Sequence, residues 1–282
     1  MDFTPQANDI VIPIMGITGS GKTTFINTLV PDARLAVGGD IDACTEEVQA
    51  AVVAHPQDPA YRIVFVDTPG LDSTTAPDEN LLHRIADWLN NSYKKDSRLA
   101  GIVYLFEITQ PRVRAPLVLK NLAYFDKLCG STATKNVILA STKWPGSPTN
   151  KELTREEDLT NIRPGSRVHR FANAHDSAWT IVNLILADAF TFDTAALQEN
   201  LEQLRGSLKK HDEPRLINDL ETLLQDQNSM AGQLKQSGGV QIGDGGLWDK
   251  LVKNEKQIRD TLGKIGRKVT LSQKLKTFFR LR

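Results

Sequence analysis

Gly16-Ile17-Thr18-Gly19-Ser20-Gly21-Lys22-Thr23 follows the apolar run Ile10-Val11-Ile12-Pro13-Ile14-Met15 and opens a helical stretch from Thr24 to Leu29. A strand, then GxxxxGK[ST], then a helix is the setting of a phosphate-binding loop. The chemistry demands these residue types. Glycines let successive backbone N–H groups converge on a β-phosphate, the Lys22 ammonium adds a point charge between the β- and γ-phosphates, and the Thr23 hydroxyl is offered to Mg²⁺. Gly16, Thr18, Gly19, Ser20, Gly21, Lys22, Thr23 and Thr24 are therefore the expected nucleotide contacts, and Lys22 is assigned to catalysis as well.

Outward from this loop, apolar strand-like runs alternate with helix-like segments. The runs are Val48–Ala54, Tyr61–Val66, Gly101–Glu107, Lys135–Ser141 and Arg167–Phe171; the helices are Asn80–Tyr93, Ala115–Leu128, Glu152–Thr160 and Asp176–Ala189. That alternation predicts an α/β domain over residues 1–192, with a mostly parallel sheet covered on both faces. The turn-forming His55-Pro56-Gln57-Asp58-Pro59 makes its two flanking strands an antiparallel hairpin at the sheet edge.

After residue 192 strands vanish and leucines fall at heptad spacing: Leu197, Leu201, Leu204 and Leu208, then Leu216, Leu220 and Leu223, with Met230 and Leu234 continuing the series. Residues 193–282 thus read as a helical extension, either packed on the parent domain or on itself, or pairing as a coiled coil. A glycine-rich break falls at 236–246, and a last amphipathic helix carries Leu247, Leu251, Ile258, Leu262, Ile265 and Val269 on one face.

The chain has 282 residues and a formal net charge of zero, but the sum hides a gradient. Residues 236–282 hold eleven Lys and Arg against four Asp and Glu. A basic end suggests an acidic partner: a protein, a membrane surface, or the chain's own acidic face. Lys264–Arg282 lacks the aromatic and basic interleaving that would argue for nucleic acid. No signal-peptide pattern opens the chain and no run of about 18 apolar residues occurs, so a cytoplasmic protein is expected, peripheral at a membrane if the basic helix docks there. Cys44 and Cys129 are too few for a disulfide framework or a thiolate metal site. The five histidines show no metal-ligand spacing.

A second phosphate-linked element closes the third apolar run: Ile63-Val64-Phe65-Val66-Asp67-Thr68-Pro69-Gly70. Asp67 can hold Mg²⁺ through a water, and the Gly70 N–H can meet a γ-phosphate because no side chain blocks its approach. Between the two elements, Cys44-Thr45-Glu46-Glu47 places Thr45 to close onto Mg²⁺ and the γ-phosphate. Metal ligands are thus expected at Thr23, Thr45 and Asp67, and catalytic roles at Lys22, Thr45 and Gly70.

Together GITGSGKTTFIN, the CTEEV segment and VDTPGLD resemble the septin-like GTPases and, more closely, the immunity-associated (AIG-type) GTPases with their fungal relatives, over about residues 8–190. The resemblance implies a Ras-like P-loop GTPase domain, GTP and GDP as ligands with Mg²⁺, slow hydrolysis, and control by pairing of two G domains in a homodimer. Two positions depart from its pattern. Where [NT]KxD reads guanine, this chain has Thr142-Lys143-Trp144-Pro145, with proline in the carboxylate's place. Thr142 and Lys143 remain expected base-side contacts, with Trp144 able to stack and Asn173 the candidate in the closing loop. Losing a buried charged hydrogen bond costs roughly 1.5–3 kcal/mol, or one to two decades of base selectivity, so a nucleoside triphosphatase of relaxed base specificity stays open. Leu71 stands where a glutamine would orient the attacking water. Either a partner supplies a group, for which Arg112 and Arg114 are candidates, or the protein is a nucleotide-gated binding module with negligible turnover.

Overall fold

Asp9–Gly16 is buried at every position and forms the central strand β1. A strand buried on both faces must be covered on both, and that requirement organises the N-terminal unit. A computed structural model describes residues 4–6, 9–33, 35, 47–55, 58–71, 79–92, 98–110, 115–129, 136–162, 167–189, 191, 194–208, 214–236, 245–267, 271 and 275. The chain divides into two units, Met1–Ala189 and Phe190–Arg282.

In the first unit β1 is followed by α1 (Lys22–Leu29), a 3₁₀ turn (Pro31–Ala33), β2 (Gln49–His55), β3 (Asp58–Asp67), α2 (Glu79–Ser92), β4 (Arg98–Leu99), β5 (Ile102–Glu107), α3 (Ala115–Cys129), β6 (Val137–Thr142), α4 (Asn150–Thr160), β7 (Arg167–Arg170) and α5 (His175–Ala189). The sheet runs β2-β3-β1-β5-β6-β7, with the short β4 also pairing β1. Only the β2–β3 pair is antiparallel among the described pairings, so the hairpin stands at the sheet edge, as the turn residues predicted. This is a Ras-like α/β fold.

Alternation along the strands divides the core. Val11 and Met15, Val64 and Val66, and Ile102 and Tyr104 turn to one face, where they meet Leu82, Ile85 and Leu89 of α2 and Val118, Leu122 and Phe125 of α3. Ile10, Ile12, Ile14, Ile63 and Phe65 belong to the opposite face and are equally buried. There Phe25 of α1 stands edge-on to Phe171 with ring centres 5.0 Å apart, and Phe65 edge-on to Trp179 of α5 at 6.5 Å. At about 1.5–3 kcal/mol for each large apolar side chain taken from water, these two layers dominate the folding free energy.

The second unit contains α6 (Thr194–Leu208), α7 (Pro214–Gln236) and α8 (Gly245–Gly266). Leu197, Leu201 and Leu204 pack with Ile217, Leu220 and Leu224 and with Ile258, Leu262 and Ile265 in one core, joined by Leu271 and Leu275. The greasy stripe therefore closes on helices of the same chain. In α7 its phase differs from the leucine spacing. Ile217 and Leu224 are the buried residues, whereas Leu216 and Leu223 are only partly buried. The face continues through Gln227, Ala231 and Leu234, and polar Gln227 is why the apolar spacing misplaced it. Asn254 satisfies part of this buried polar patch, donating to Gln227 Oε1 at 2.9 Å and to the Leu223 carbonyl at 2.6 Å. Val269 and most of the basic end lie outside the described residues. Among the described residues no helix is long and apolar enough to cross a membrane.

The two phases of α7 make a direct test. Leu224→Ala is expected to destabilise the helical unit by about 2–5 kcal/mol, the cost of a core leucine. Leu223→Ala should cost less than half as much. Urea unfolding followed by circular dichroism measures both, and equal losses would contradict the observed packing.

Candidate functional site

Asp67, Glu107 and Thr142 end β3, β5 and β6, and Gly16 ends β1. All four strands are mutually parallel, so these residues meet on the carboxyl edge of the sheet, where open α/β sheets hold their ligands. Gly16 has φ 143°, and a Cβ there would lie 2.5 Å from the Leu105 carbonyl oxygen and 2.7 Å from Ser20 Oγ. No side chain fits at that turn. Gly19 and Gly21 also have positive φ. Helix α1 starts after Gly21 with no side-chain cap and no acidic residue in its first turn. Its first N–H groups and the positive end of its dipole are thus turned to the loop without an internal acceptor, an anion seat.

Lys22 is only 7% exposed. Its ammonium folds back over the loop, donating to the carbonyls of Gly16 at 3.1 Å and Ile17 at 2.9 Å. A buried ammonium needs such acceptors, and a phosphate would give it stronger, charged ones. The Thr23 hydroxyl donates to Asp67 Oδ2 at 2.7 Å. Asp67 is buried, so its carboxylate and the Thr23 hydroxyl form a pair of hard oxygen donors, the type Mg²⁺ selects. Thr24, the next residue of α1, is half-buried.

Besides the Thr23–Asp67 bond, three further contacts tie the DTPG segment and the residue after it to β1 and the phosphate loop. The Thr68 hydroxyl donates to the Ile14 carbonyl at 2.8 Å. The Leu71 N–H donates to the Gly16 carbonyl at 3.1 Å. Gly70 lies against Thr18 so closely that an added Cβ would stand 1.9 Å from Thr18 Oγ1 and 2.6 Å from its backbone nitrogen. The Leu71 side chain is 1% exposed and belongs to the α2–α3 face of the core. It is packed as a core residue and carries no polar group that could hold a water.

At the other end of the loop, the Thr142 hydroxyl contacts the carbonyls of Ser20 at 2.7 Å and Phe106 at 3.2 Å, bracing the phosphate loop against β5. Lys143 adopts φ 57° and Asn173 φ 55°, the two non-glycine residues with positive φ among the described residues. Such backbone is costly and concentrates at functional loops. Lys143 Nζ reaches Glu107 Oε2 at 3.2 Å, a contact the sequence reading did not anticipate. Burial alone would raise the Glu107 pKa, but hydrogen bonds from Thr109, Gln110 and Lys143 outweigh it and hold the carboxyl below the usual range. An acid closing β5, beside the other strand ends that carry the site, was the available signal.

Trp144 is engaged elsewhere. Its Nε1 donates to Ser141 Oγ at 3.0 Å, and the Arg170 guanidinium lies 4.1 Å from its ring centre. Arg170 is held in turn by Glu156. One face of the indole thus carries a cation–π contact with Arg170. Asn173 follows β7, one strand beyond β6, in a turn braced by Ser177, whose hydroxyl accepts from Ala172 N at 3.1 Å and donates to the Ala174 carbonyl at 2.7 Å. Thr45, Arg112 and Arg114 lie outside the described residues.

Residues 11–143 match the family model described as 50S ribosome-binding GTPase. That match overturns the resemblance to the septin-like and immunity-associated branch. The physical reason is that GxxxxGK[ST] and DTPG serve the phosphates of any P-loop GTPase, so they carry the class and not the branch. No curated protein matches the chain. Similar solved structures include Toc33 from Arabidopsis thaliana in complex with GDP and Mg²⁺, at 17% identity and TM-score 0.47 over 59% of this chain and 72% of that one. Toc33 with Mg²⁺ and GMPPNP gives 18% and 0.46 over 64% and 83%. The bacterial selenocysteine-specific elongation factor EF-Sec gives 18% and 0.40 over 62% and 27%. The family match spans both the phosphate loop and the DTPG turn, which the Ras-like P-loop fold brings together at the carboxyl edge of the sheet.

Proposed function

We propose that this domain binds GTP and GDP together with Mg²⁺ and hydrolyses GTP slowly to GDP and phosphate. The observation that carries the proposal is the Thr23–Asp67 pair, 2.7 Å apart, beside Lys22 at the uncapped start of α1. These oxygen donors fit Mg²⁺, with Thr45 completing the set from the segment before β2. When bound, the metal neutralises charge shared by the β- and γ-phosphate oxygens.

The protein groups act by position. Backbone N–H groups from Gly16 to Thr24 cradle the α- and β-phosphates, and Lys22 exchanges its two carbonyl acceptors for β- and γ-phosphate oxygens. The Gly70 N–H meets the γ-phosphate. Lys143 lays its alkyl stem along the purine while Glu107 holds its ammonium, Thr142 fixes the loop, and Asn173 supplies a base contact. With Pro145 in the carboxylate position, guanine is preferred by a reduced margin.

The inward turn of Leu71 removes one means of orienting water, which supports slow turnover by a single domain. Pairing of two G domains in a homodimer would raise it. The same observation favours a second role, a nucleotide-gated module with negligible turnover. For the basic C-terminal helix, a protein or an anionic membrane surface is the proposed partner, with a cytoplasmic location.

Three measurements test this. Lys22→Ala should weaken Mg·GTP binding at least about tenfold, the loss of one charged phosphate contact; unchanged affinity would contradict the proposed cradle. Titration with labelled GDP and ADP should show tighter GDP binding by about one decade rather than several, and equal affinity would overturn the guanine assignment. Phosphate release per molecule should rise with protein concentration if domains pair. A low, flat rate identifies an unpaired slow enzyme, and no release identifies the binding module.

A further inference from the structure

We infer that Arg155 of α4 is a positioning residue for the base side of the nucleotide site, acting through Glu107 on Lys143. The inference rests on the nucleotide binding proposed above and deepens it. It starts from the turn that follows β5. The Gln110 N–H donates to the Glu107 carbonyl at 3.2 Å and the Ile108 N–H to the Thr142 carbonyl at 3.0 Å, so the turn is laid against the end of β6. Arg155 reaches the same turn from α4. Its Nη1 donates to the carbonyls of Ile108 at 2.9 Å and Thr109 at 3.1 Å, with the side chain 18% exposed. Glu152 stands 3.7 Å from that nitrogen and is itself fixed by the capping box that starts α4, where it accepts from Thr149 N at 2.7 Å. A charged donor shared by two carbonyls and steadied by a carboxylate is one of the stronger ways to hold a short turn.

What the turn carries is the acceptor for Lys143. The Thr109 hydroxyl donates to Glu107 Oε1 at 2.8 Å, and Gln110 Nε2 donates to Glu107 Oε2 at 3.3 Å. Both donors belong to the turn that Arg155 holds. Lys143 Nζ completes the set, donating to Glu107 Oε2 at 3.2 Å. The same ammonium stands beside the phosphate loop, 4.0 Å from the place a Cβ on Gly19 would take.

An ion pair with Lys143 48% open to water adds little to the stability of the fold. Its consequence is placement. The lysine stem is long and flexible, and ordering it along a purine costs side-chain entropy unless its ammonium is already tied. Arg155 fixes the turn, the turn aims Glu107, and Glu107 holds Lys143 ready for the base. Releasing Arg155 therefore acts on nucleotide affinity only by way of Lys143.

Equilibrium binding of labelled GDP to the full chain, in a double-mutant cycle with Lys143→Ala, separates this role from a structural one. Arg155→Met keeps the apolar stem and removes the donors. It should weaken GDP binding about three- to tenfold in the wild-type background, and less than about twofold where Lys143 is already alanine. Glu107→Gln should follow the same pattern. Should the methionine variant not fold, Arg155→Lys, which keeps the charge and gives up the planar fork, takes its place with the same pattern expected. Unchanged GDP affinity on altering Arg155 or Glu107 would overturn the inference. So would losses that multiply with that of Lys143→Ala, the mark of a general effect on the fold. Failure of the wild-type chain to bind any nucleotide would overturn the proposed function itself, and this inference with it.

Discussion

The hydrogen bond from Thr23 to Asp67 joins residues 44 apart in sequence and fixes the start of α1 against the end of β3. Around it the other ties make sense. Lys22 is folded onto the carbonyls at the start of the loop, Leu71 is bonded to Gly16, and Thr68 to Ile14. Each fastens DTPG or the helix to the same short turn. A buried carboxylate is unfavourable unless hydrogen-bonded, and here the donor is a residue whose hydroxyl is itself a hard metal ligand. The contact that stabilises the loop is thus one that bound Mg²⁺ would rearrange.

The base side of the site is organised on different terms. In place of a carboxylate after Lys143 there is Pro145, and the nearby charge is Glu107, which meets Lys143 at 3.2 Å. Because the Glu107 pKa is lowered in the fold, its contribution to stability is present above its unfolded pKa. It is lost as pH falls through the lower folded value. The tether is therefore intact at neutral pH. It holds Lys143 from the side of β5, while Thr142 holds the loop from beneath. Trp144 is held by Arg170 over its ring and by Ser141 at its indole nitrogen.

Much of this fold was legible in the sequence because its signals are local. The all-apolar runs of β1, β3 and β5 require a doubly covered sheet, and the Pro-rich turn before β3 requires a hairpin. GxxxxGK[ST] and DTPG fall at strand ends, where the sheet brings them together. What was illegible depends on pairs distant in sequence or on phase. The α7 stripe was misread because Leu216 and Leu223 are as apolar as Ile217 and Leu224, and polar Gln227 marks the inward face. The partners of Lys143 and Trp144, Glu107 and Arg170, come from other strands. The branch of GTPases was misassigned because the motifs that name it are demanded by phosphate and metal alone.

The most direct test of the central claim is the dependence of triphosphate affinity on Mg²⁺, measured by calorimetric titration of GTP with the ion present and then chelated. If the Thr23 hydroxyl and the Asp67 carboxylate exchange their mutual hydrogen bond for a shared metal, chelation should weaken GTP binding by about tenfold or more. Identical affinity in both conditions would contradict the account.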